Sequence, residues 1–217
     1  MTDVRSVETP THGRVLVAAS TSAAPAGWIV GFHGYAQSAD DMLADLAAIP
    51  GADRWHRVSV QALNRFYSRS EDRVIANWMT RQDRELAIAD NITYVERVVE
   101  HVVAPGAASR LIFAGFSQGV AMAYRAALLG RRPAAGVIAL GGDIPPEIRA
   151  GAGSTPWPPV LIGAGDAETW YTADKVRADE TFLQAHGIAH EIVRYNGGHV
   201  WTDEFRAATG RWLAVRT

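Results

Sequence analysis

Residues 110–120 read RLIFAGFSQGV and join an apolar run to a segment with helical spacing. RLIFAG (110–115) predicts a buried strand, and residues 120–129 predict a helix. Between them lies the pattern G-x-S-x-G, with Ser117 at its centre. In this context the serine occupies a strained strand-to-helix turn that lifts its hydroxyl above the sheet. The pattern predicts a nucleophile at Ser117, and the alternative is a glycine-rich turn in which the serine only caps a helix.

Apolar runs and helical periods alternate along the rest of the chain. We expect strands at 14–19, 28–32, 57–63, 134–142, 159–165 and 190–195, and helices at 38–49, 84–103, 173–186 and 201–214. Ser38 and Asp41 form a capping-box pattern, and Pro105-Gly106 is expected to end the long helix. Residues 64–85 and 145–158 lack clean periodicity and predict loops. This alternation predicts one α/β domain over residues 1–217, a mostly parallel central sheet with helices on both faces.

His199 is the best candidate for a general base. Where G-x-S-x-G holds a nucleophile, an acid and then a histidine follow it along the chain. His199 lies in NGGHVW (196–201), between a predicted strand and the last helix, where a loop can bring an imidazole to the serine. With the exception of His33, the other histidines fall near element boundaries or on helix surfaces, where a solvated histidine is expected.

Two carboxylates compete for the role of the acid. The loop after 159–165 reads GDAETWY (165–171) and contains Asp166 and Glu168. In many related sites the acid lies three residues after the glycine, which favours Glu168 and leaves Asp166 as the fallback. A glutamate can orient an imidazole and stabilise its protonated form as an aspartate does.

The loop that follows the second strand reads GFHGY (31–35) and is the candidate for an oxyanion hole. Backbone amides after an early strand and directly after the serine can bind the negative charge of a tetrahedral intermediate. We therefore expect the amides of Tyr35 and Gln118 to donate, with Gly34 beside them. His33 is expected to hold the loop through its ring, and a plain tight turn is the alternative.

Composition excludes several classes of protein. The 217 residues have a net charge of −2 and no concentration of basic residues, so nucleic acid is not an expected partner. The absence of cysteine excludes disulfides, thiolate metal sites and a cysteine nucleophile. Neither a signal peptide nor an apolar run of membrane-spanning length is visible, so a cytoplasmic protein is expected.

Together these segments resemble the phospholipase/carboxylesterase family of α/β-hydrolases, which includes acyl-protein thioesterase-like enzymes. The resemblance covers residues 28 to 205 through His33-Gly34, the Gly115–Gly119 turn, the acid loop and Gly198-His199. It implies the α/β-hydrolase fold and hydrolysis of carboxylic esters, sometimes thioesters or lysophospholipids, without a metal or organic cofactor. It also implies a triad of Ser117, an acid and His199. The chain departs from the family pattern at Val120, at Glu168-Thr169 and after Gly34, which leaves the substrate open.

Aromatic side chains near the predicted site are candidates for substrate contact. Trp78 and Trp170 are the leading ones, although packing in the core explains such residues equally well. The set also includes Phe66, Tyr67, Trp157 and Tyr171. Arg65, Arg69 and Arg73 could instead contact an anion or form a solvated loop face. The expected partner is a small-molecule or lipid ester, and a homodimer is left open. An acyltransferase and a non-catalytic binding protein are the rival interpretations.

Overall fold

A twisted sheet runs through the centre of the computed structural model, which describes residues 2–69, 72–103, 110–153 and 155–216. The strands are β1 (Arg14–Ala18), β2 (Gly27–Phe32), β3 (His56–Gln61), β4 (Asn64–Tyr67), β5 (Val74–Asn77), β6 (Arg110–Phe116), β7 (Gly136–Leu140), β8 (Val160–Gly165) and β9 (His190–Tyr195). Within the described residues, seven of them form the main sheet in the order β1-β3-β2-β6-β7-β8-β9. β1 pairs antiparallel with β3, and the other neighbours pair in parallel. The prediction of a mostly parallel sheet is confirmed.

Helices cover both faces of this sheet, as predicted. They are α1 (Ala39–Ala47), α2 (Arg84–Val102), α3 (Gln118–Leu128), α4 (Pro146–Ala150), α5 (Ala173–Ala185) and α6 (Asp203–Ala214). The predicted capping box at Ser38 and Asp41 begins α1. α2 ends within one residue of its predicted limit, and Pro105-Gly106 lies outside the described residues. No helix among the residues that the structure describes is long and apolar enough to cross a bilayer.

Alternate residues of the buried strands supply two separate cores. In β2, Val30 and Phe32 pack with residues of α2, α3 and α5, whereas Ile29 packs with α1 and α6. In β6, Phe113 belongs to the same core as Val30 and Phe32, and Ile112 belongs to the same core as Ile29. Side chains alternate between the faces of a strand, so a strand covered on both sides is apolar at every position. This explains why the central strands could be recognised as continuous apolar runs.

The prediction of a long loop at 64–85 is wrong. β4 and β5 form an antiparallel pair there, in which Phe66 lies opposite Ile75, whereas α2 begins at Arg84 as predicted. Three of the four residues of β4 are exposed, so the strand lacks the buried apolar alternation that makes a strand visible in a sequence. The short helix α4 likewise lies inside the predicted loop 145–158.

The carboxyl ends of five parallel strands gather the predicted functional loops. The segments that follow β2, β6, β7, β8 and β9 contain Tyr35, Ser117, Gly141, Glu168 and His199 respectively. In open parallel sheets, ligands bind in the crevice at this edge. The sheet therefore brings together residues that are more than 160 positions apart in the chain.

Candidate active site

Ser117 has a strained backbone between β6 and α3. Its φ of 54° and ψ of −120° are rarely adopted by residues with a side chain. Such a conformation costs about 1–3 kcal/mol and persists only when its surroundings impose it. Here the Ser117 amide donates to the carbonyl oxygen of Leu140 at 2.8 Å, which fixes the turn against β7.

The glycines of the turn let neighbouring backbone approach. A Cβ on Gly119 would collide with the carbonyl oxygen of Phe32 at the end of β2. A Cβ on Gly115 would collide with the carbonyl of Gly119 itself. Larger residues at these positions would push α3 away from the sheet, so the spacing of the motif follows from close packing.

His199 and Glu168 form a hydrogen-bonded pair beside this turn. Nδ1 of His199 lies 2.6 Å from Oε2 of Glu168, whose side chain is 1% exposed. The other carboxylate oxygen, Oε1, accepts the amide of Trp170 at 2.8 Å. With both oxygens engaged, the carboxylate fixes the imidazole so that Nδ1 carries the proton and Nε2 keeps its lone pair.

The Glu168 carboxyl stays ionised in this environment. Burial acts to raise its pKa, but hydrogen bonds from the Trp170 amide and the His199 ring outweigh that effect. The net result is a pKa below the usual value for a glutamate. An ionised carboxylate is the form that can accept the Nδ1 proton of His199.

Asp166 contacts backbone rather than the imidazole. Its Oδ1 accepts the amide of Gly197 at 2.9 Å, and its own amide donates to Tyr195. The side chain thus ties the acid loop to the loop that contains His199. Of the two carboxylates, the structure brings Glu168, the favoured one, into contact with His199.

Contacts with residues on both sides of the turn locate the His199 ring near Ser117. The ring packs on Phe116, with 4.8 Å between centroids. A Cβ on Gly141 would lie 3.0 Å from Nδ1 of His199, and a Cβ on Gly142 would lie 2.7 Å from the carbonyl oxygen of Ser117. The imidazole and the serine therefore lie against the same short segment after β7.

The loop that follows β2, residues 33–37, is called the early loop and lies against the other side of Ser117. A Cβ on Gly34 would lie 3.2 Å from Cβ of Ser117. The Gly34 amide already donates to the side chain of Gln37 at 2.7 Å. The amide of Tyr35 makes no hydrogen bond within the described residues, which leaves it as the available donor in this loop.

The fully buried ring of His33 stabilises the early loop through two hydrogen bonds. Nε2 accepts the amide of Ala62 at 3.1 Å, so Nδ1 carries the proton and donates to the carbonyl of Gly34 at 2.7 Å. Burial lowers the pKa of His33, which keeps the ring neutral in this role. The expectation that His33 holds the loop through its ring agrees with these contacts.

Gln118 contributes to the site through its backbone amide and through its side chain. It is the first residue of α3, so its amide has no carbonyl within the helix to bond. Its side chain accepts from the amide of Trp78 at 2.8 Å and donates to the carbonyl of Met79 at 2.9 Å. The side chain thus fixes the segment after β5 beside the site.

A cavity of about 690 Å³ opens over these groups. Ser117, His199, Gln118 and Tyr35 line it, together with Trp170. Among the described residues no three histidine or acidic side chains are grouped so as to hold a metal ion. A nucleophile, an oriented imidazole and unpaired amides around one cavity are the parts that acyl transfer requires.

Residues 17–209 match the Phospholipase/Carboxylesterase family of hydrolases. The chain belongs to this family. It is therefore a hydrolase of the esterase type, as the sequence predicted. A search of curated proteins found no match.

Solved structures share the fold of this family member. Acyl-protein thioesterase 2 of Zea mays has a TM-score of 0.73 at 18% identity, covering 94% of this chain and 99% of its own. Esterase PE8 has a TM-score of 0.74 at 22% identity, covering 95% and 100%. A phospholipase/carboxylesterase from Dyadobacter fermentans has a TM-score of 0.69 at 19% identity, covering 95% and 99%. At these identities the likeness establishes the α/β-hydrolase fold.

Trp78 does not line the cavity of this family member. It is fully buried in the core, where its Nε1 donates to the carbonyl of His33 at 2.9 Å. The expectation of substrate contact is therefore corrected to a packing role, whereas Trp170 is exposed and lines the cavity. Arg73 pairs with Asp41 and Arg65 donates to the carbonyl of His12, so neither lies in the cavity wall.

The cavity wall also has a charged part that was not predicted from the sequence. Arg84, Arg125 and Lys175 line the cavity, as does Asp143. A signal for Arg125 exists, because it lies on the predicted helix and follows Ser117 by eight residues, which is about two helical turns.

Proposed function

We propose that this hydrolase cleaves carboxylic esters through an acyl-enzyme on Ser117. One observation carries the proposal. The buried carboxylate of Glu168 holds Nδ1 of His199 at 2.6 Å, and that ring packs against the turn that presents Ser117 to the cavity. This arrangement supports a role for His199 as the general base and for Glu168 as the orienting acid, with Asp166 supporting the loop.

The first half of the reaction forms the acyl-enzyme. Oγ of Ser117 attacks the acyl carbon while Nε2 of His199 takes the hydroxyl proton. The tetrahedral intermediate collapses, and the imidazolium gives the proton to the leaving alkoxide. Water then attacks the acyl-enzyme in the same way, which releases the carboxylic acid and restores the serine.

The amides of Tyr35 and Gln118 serve as the oxyanion donors in this proposal. Neither amide has an acceptor among the described residues. Tyr35 lies in the early loop beside Ser117, and Gln118 follows Ser117 directly at the start of α3. Amides fixed in advance stabilise the developing charge without reorganising, and the loss of one donor typically lowers the rate about 10²- to 10³-fold. The bonds from His33 and Gln37 fix the loop that holds Tyr35.

Hydrolysis of p-nitrophenyl acetate and butyrate tests the assignment. Ser117→Ala should remain folded and lose about 10³-fold or more of the wild-type kcat/KM. Ser68→Ala, a serine outside the cavity wall, is the control and should retain the wild-type rate. Near-normal hydrolysis by Ser117→Ala would overturn the proposal. Cytoplasmic location stays a prediction.

A further inference from the structure

One face of α3 forms the floor of the cavity. Ser117, which directly precedes α3, and Ala121 and Arg125 within it follow one another at intervals of four residues, and all three line the cavity. Residues at this spacing lie on one side of a helix. Arg125 is about 12 Å along the axis from the nucleophile, and arginine side chains on a helix lean back toward its N-terminus. The small side chain of Ala121 leaves room between the two.

The guanidinium of Arg125 is buried at this end of the cavity. Its side chain is 1% exposed, and Nε and Nη2 donate to Oε1 of Glu147 at 2.8 Å and 2.5 Å. Within the part of the chain that the structure describes, the acceptors of Nη1 are two thioether sulfurs, those of Met122 at 3.8 Å and of Met79 at 3.9 Å. Thioethers are weak acceptors, so a buried cationic donor is left without an oxygen. Met79 itself lines the cavity.

The charges around Arg125 leave an excess of positive charge in the wall. Arg84 also reaches Glu147, at 3.5 Å, so two guanidinium groups share one carboxylate. The other partner of Arg84, Glu85, is 82% exposed, where solvent screens it. Lys175 and Asp143 pair with each other at 3.5 Å and offset one another. An anionic group of a bound ligand would balance this excess of positive charge.

We propose that this end of the cavity binds the terminal carboxylate of the acyl chain, so that the preferred substrates are half-esters of dicarboxylic acids. The inference rests on the proposed function, because it assumes that the ester lies at Ser117. The chain would follow the floor over Ala121, and its carboxylate would accept hydrogen bonds from Nη1 of Arg125 and from Arg84. A planar guanidinium suits a carboxylate through paired hydrogen bonds.

Matched pairs of substrates test this preference. We would compare the mono-p-nitrophenyl esters of adipic, pimelic and suberic acids with the same esters methylated at the distant carboxylate. The two members of a pair have nearly the same length and differ in charge. We expect kcat/KM to favour the anionic member roughly 10- to 100-fold, the range that a charged hydrogen bond supplies.

Three variants assign the preference to Arg125. Arg125→Gln should abolish it, and Arg125→Lys should retain part of it because the charge remains. Arg131→Gln removes an exposed arginine outside the cavity and should leave the preference unchanged. Since Arg125→Gln leaves Glu147 without its main partner, a second measurement uses the wild type. Adipate should inhibit hydrolysis of p-nitrophenyl butyrate competitively, and dimethyl adipate should inhibit it far less.

The outcomes separate the two proposals. Hydrolysis of neutral esters without preference for the anionic ones, and without inhibition by adipate, would overturn the carboxylate site and leave the esterase intact. An anionic preference that survives in Arg125→Gln would also overturn it. Failure of the wild type to hydrolyse any of these esters would overturn the esterase assignment itself.

Discussion

Glu168 and Asp166 lie two residues apart in one loop, yet they contact different partners. Glu168 turns inward to the ring of His199, and Asp166 accepts the amide of Gly197. The longer side chain reaches the imidazole, while the shorter one stabilises the loop that carries it. Residue type alone does not decide which of the two acids orients the imidazole. The spacing of three residues from Gly165 along the sequence favours Glu168, which makes the contact.

Exchange of each acid for its amide separates these roles. In Glu168→Gln the amide no longer holds the proton on Nδ1, and kcat should fall about 10³- to 10⁴-fold. Asp166→Asn keeps an oxygen that can accept from Gly197, so its kcat should stay within a few-fold of wild type. Steady-state kinetics on p-nitrophenyl butyrate measures both. A harmless Glu168→Gln with an inactive Asp166→Asn would reverse the assignment.

Gly141 tests how tightly the imidazole is held. In Gly141→Ala the new Cβ would lie 3.0 Å from the ring of His199, and the φ of 68° would be strained. We expect kcat to fall at least tenfold as the ring shifts. Gly51→Ala is the matched control, with a φ of 79° and no atom within 4 Å of the new Cβ. Both should lose about 1 kcal/mol of stability, and equal activity of the two would contradict the contact.

At the scale of elements, a side chain of α3 connects the nucleophile turn to the hairpin that β4 and β5 form. The side chain of Gln118 bonds the backbone of Trp78 and Met79 just after β5. The hairpin in turn bonds the early loop, because Ala36 donates to Ala76 and Ala76 donates to Gln37. The hairpin thus supports the loop that contains the Tyr35 amide.

Removal of that connection should loosen the hairpin. Gln118→Ala leaves the Trp78 amide and the Met79 carbonyl without partners, which should lower the free energy of unfolding by about 1–3 kcal/mol. Amide hydrogen exchange at residues 74–79 should also speed up. Gln82→Ala, at an exposed site, is the control and should change neither. Unchanged exchange in Gln118→Ala would show that the hairpin stands without this support.

The recognisable elements were those buried on both faces or bounded by caps. The central strands, the capping box at Ser38 and the strand–turn–helix at Ser117 follow from apolar runs and local chemistry. β4 and β5 could not be predicted, since three of the four residues of β4 are exposed and β5 is a short segment that bonds to the early loop. Trp78 illustrates the same limit, because a pattern shows an aromatic near a site but not the direction in which its ring points.

At the scale of the whole molecule, Asp179 anchors a cavity wall to α5. Its fully buried carboxylate pairs with Arg149 of α4 and accepts from the hydroxyl of Tyr171 at 2.8 Å and the amide of Ile144. The segment from Ile144 to α4 borders the cavity through Pro145 and Pro146. Burial raises the pKa of Asp179 to about 6, although these partners act in the opposite direction.

This raised pKa makes a component of stability depend on pH. The unfolded chain ionises Asp179 near its ordinary pKa of 3.8, below the folded pKa of about 6. Its contribution is therefore fully present below pH 3.8 and is lost as the pH rises through about 6. The free energy of unfolding of wild type relative to Asp179→Asn should fall between pH 4 and 7 by up to about 3 kcal/mol.

Denaturant unfolding of both proteins at several pH values measures that difference. Asp174→Asn, an exposed change on the same helix, is the control and should show no such trend. A difference between wild type and Asp179→Asn that is constant with pH would mean that Asp179 titrates alike in the folded and unfolded chain.

Covalent labelling by a fluorophosphonate, followed by intact mass and peptide mapping, reports directly on an activated Ser117. The wild type should gain one adduct at Ser117, Ser117→Ala should gain none, and His199→Ala should react far more slowly because its serine lacks a base. Labelling of Ser117→Ala at the wild-type rate, or no labelling of the wild type, would contradict the assignment of the nucleophile.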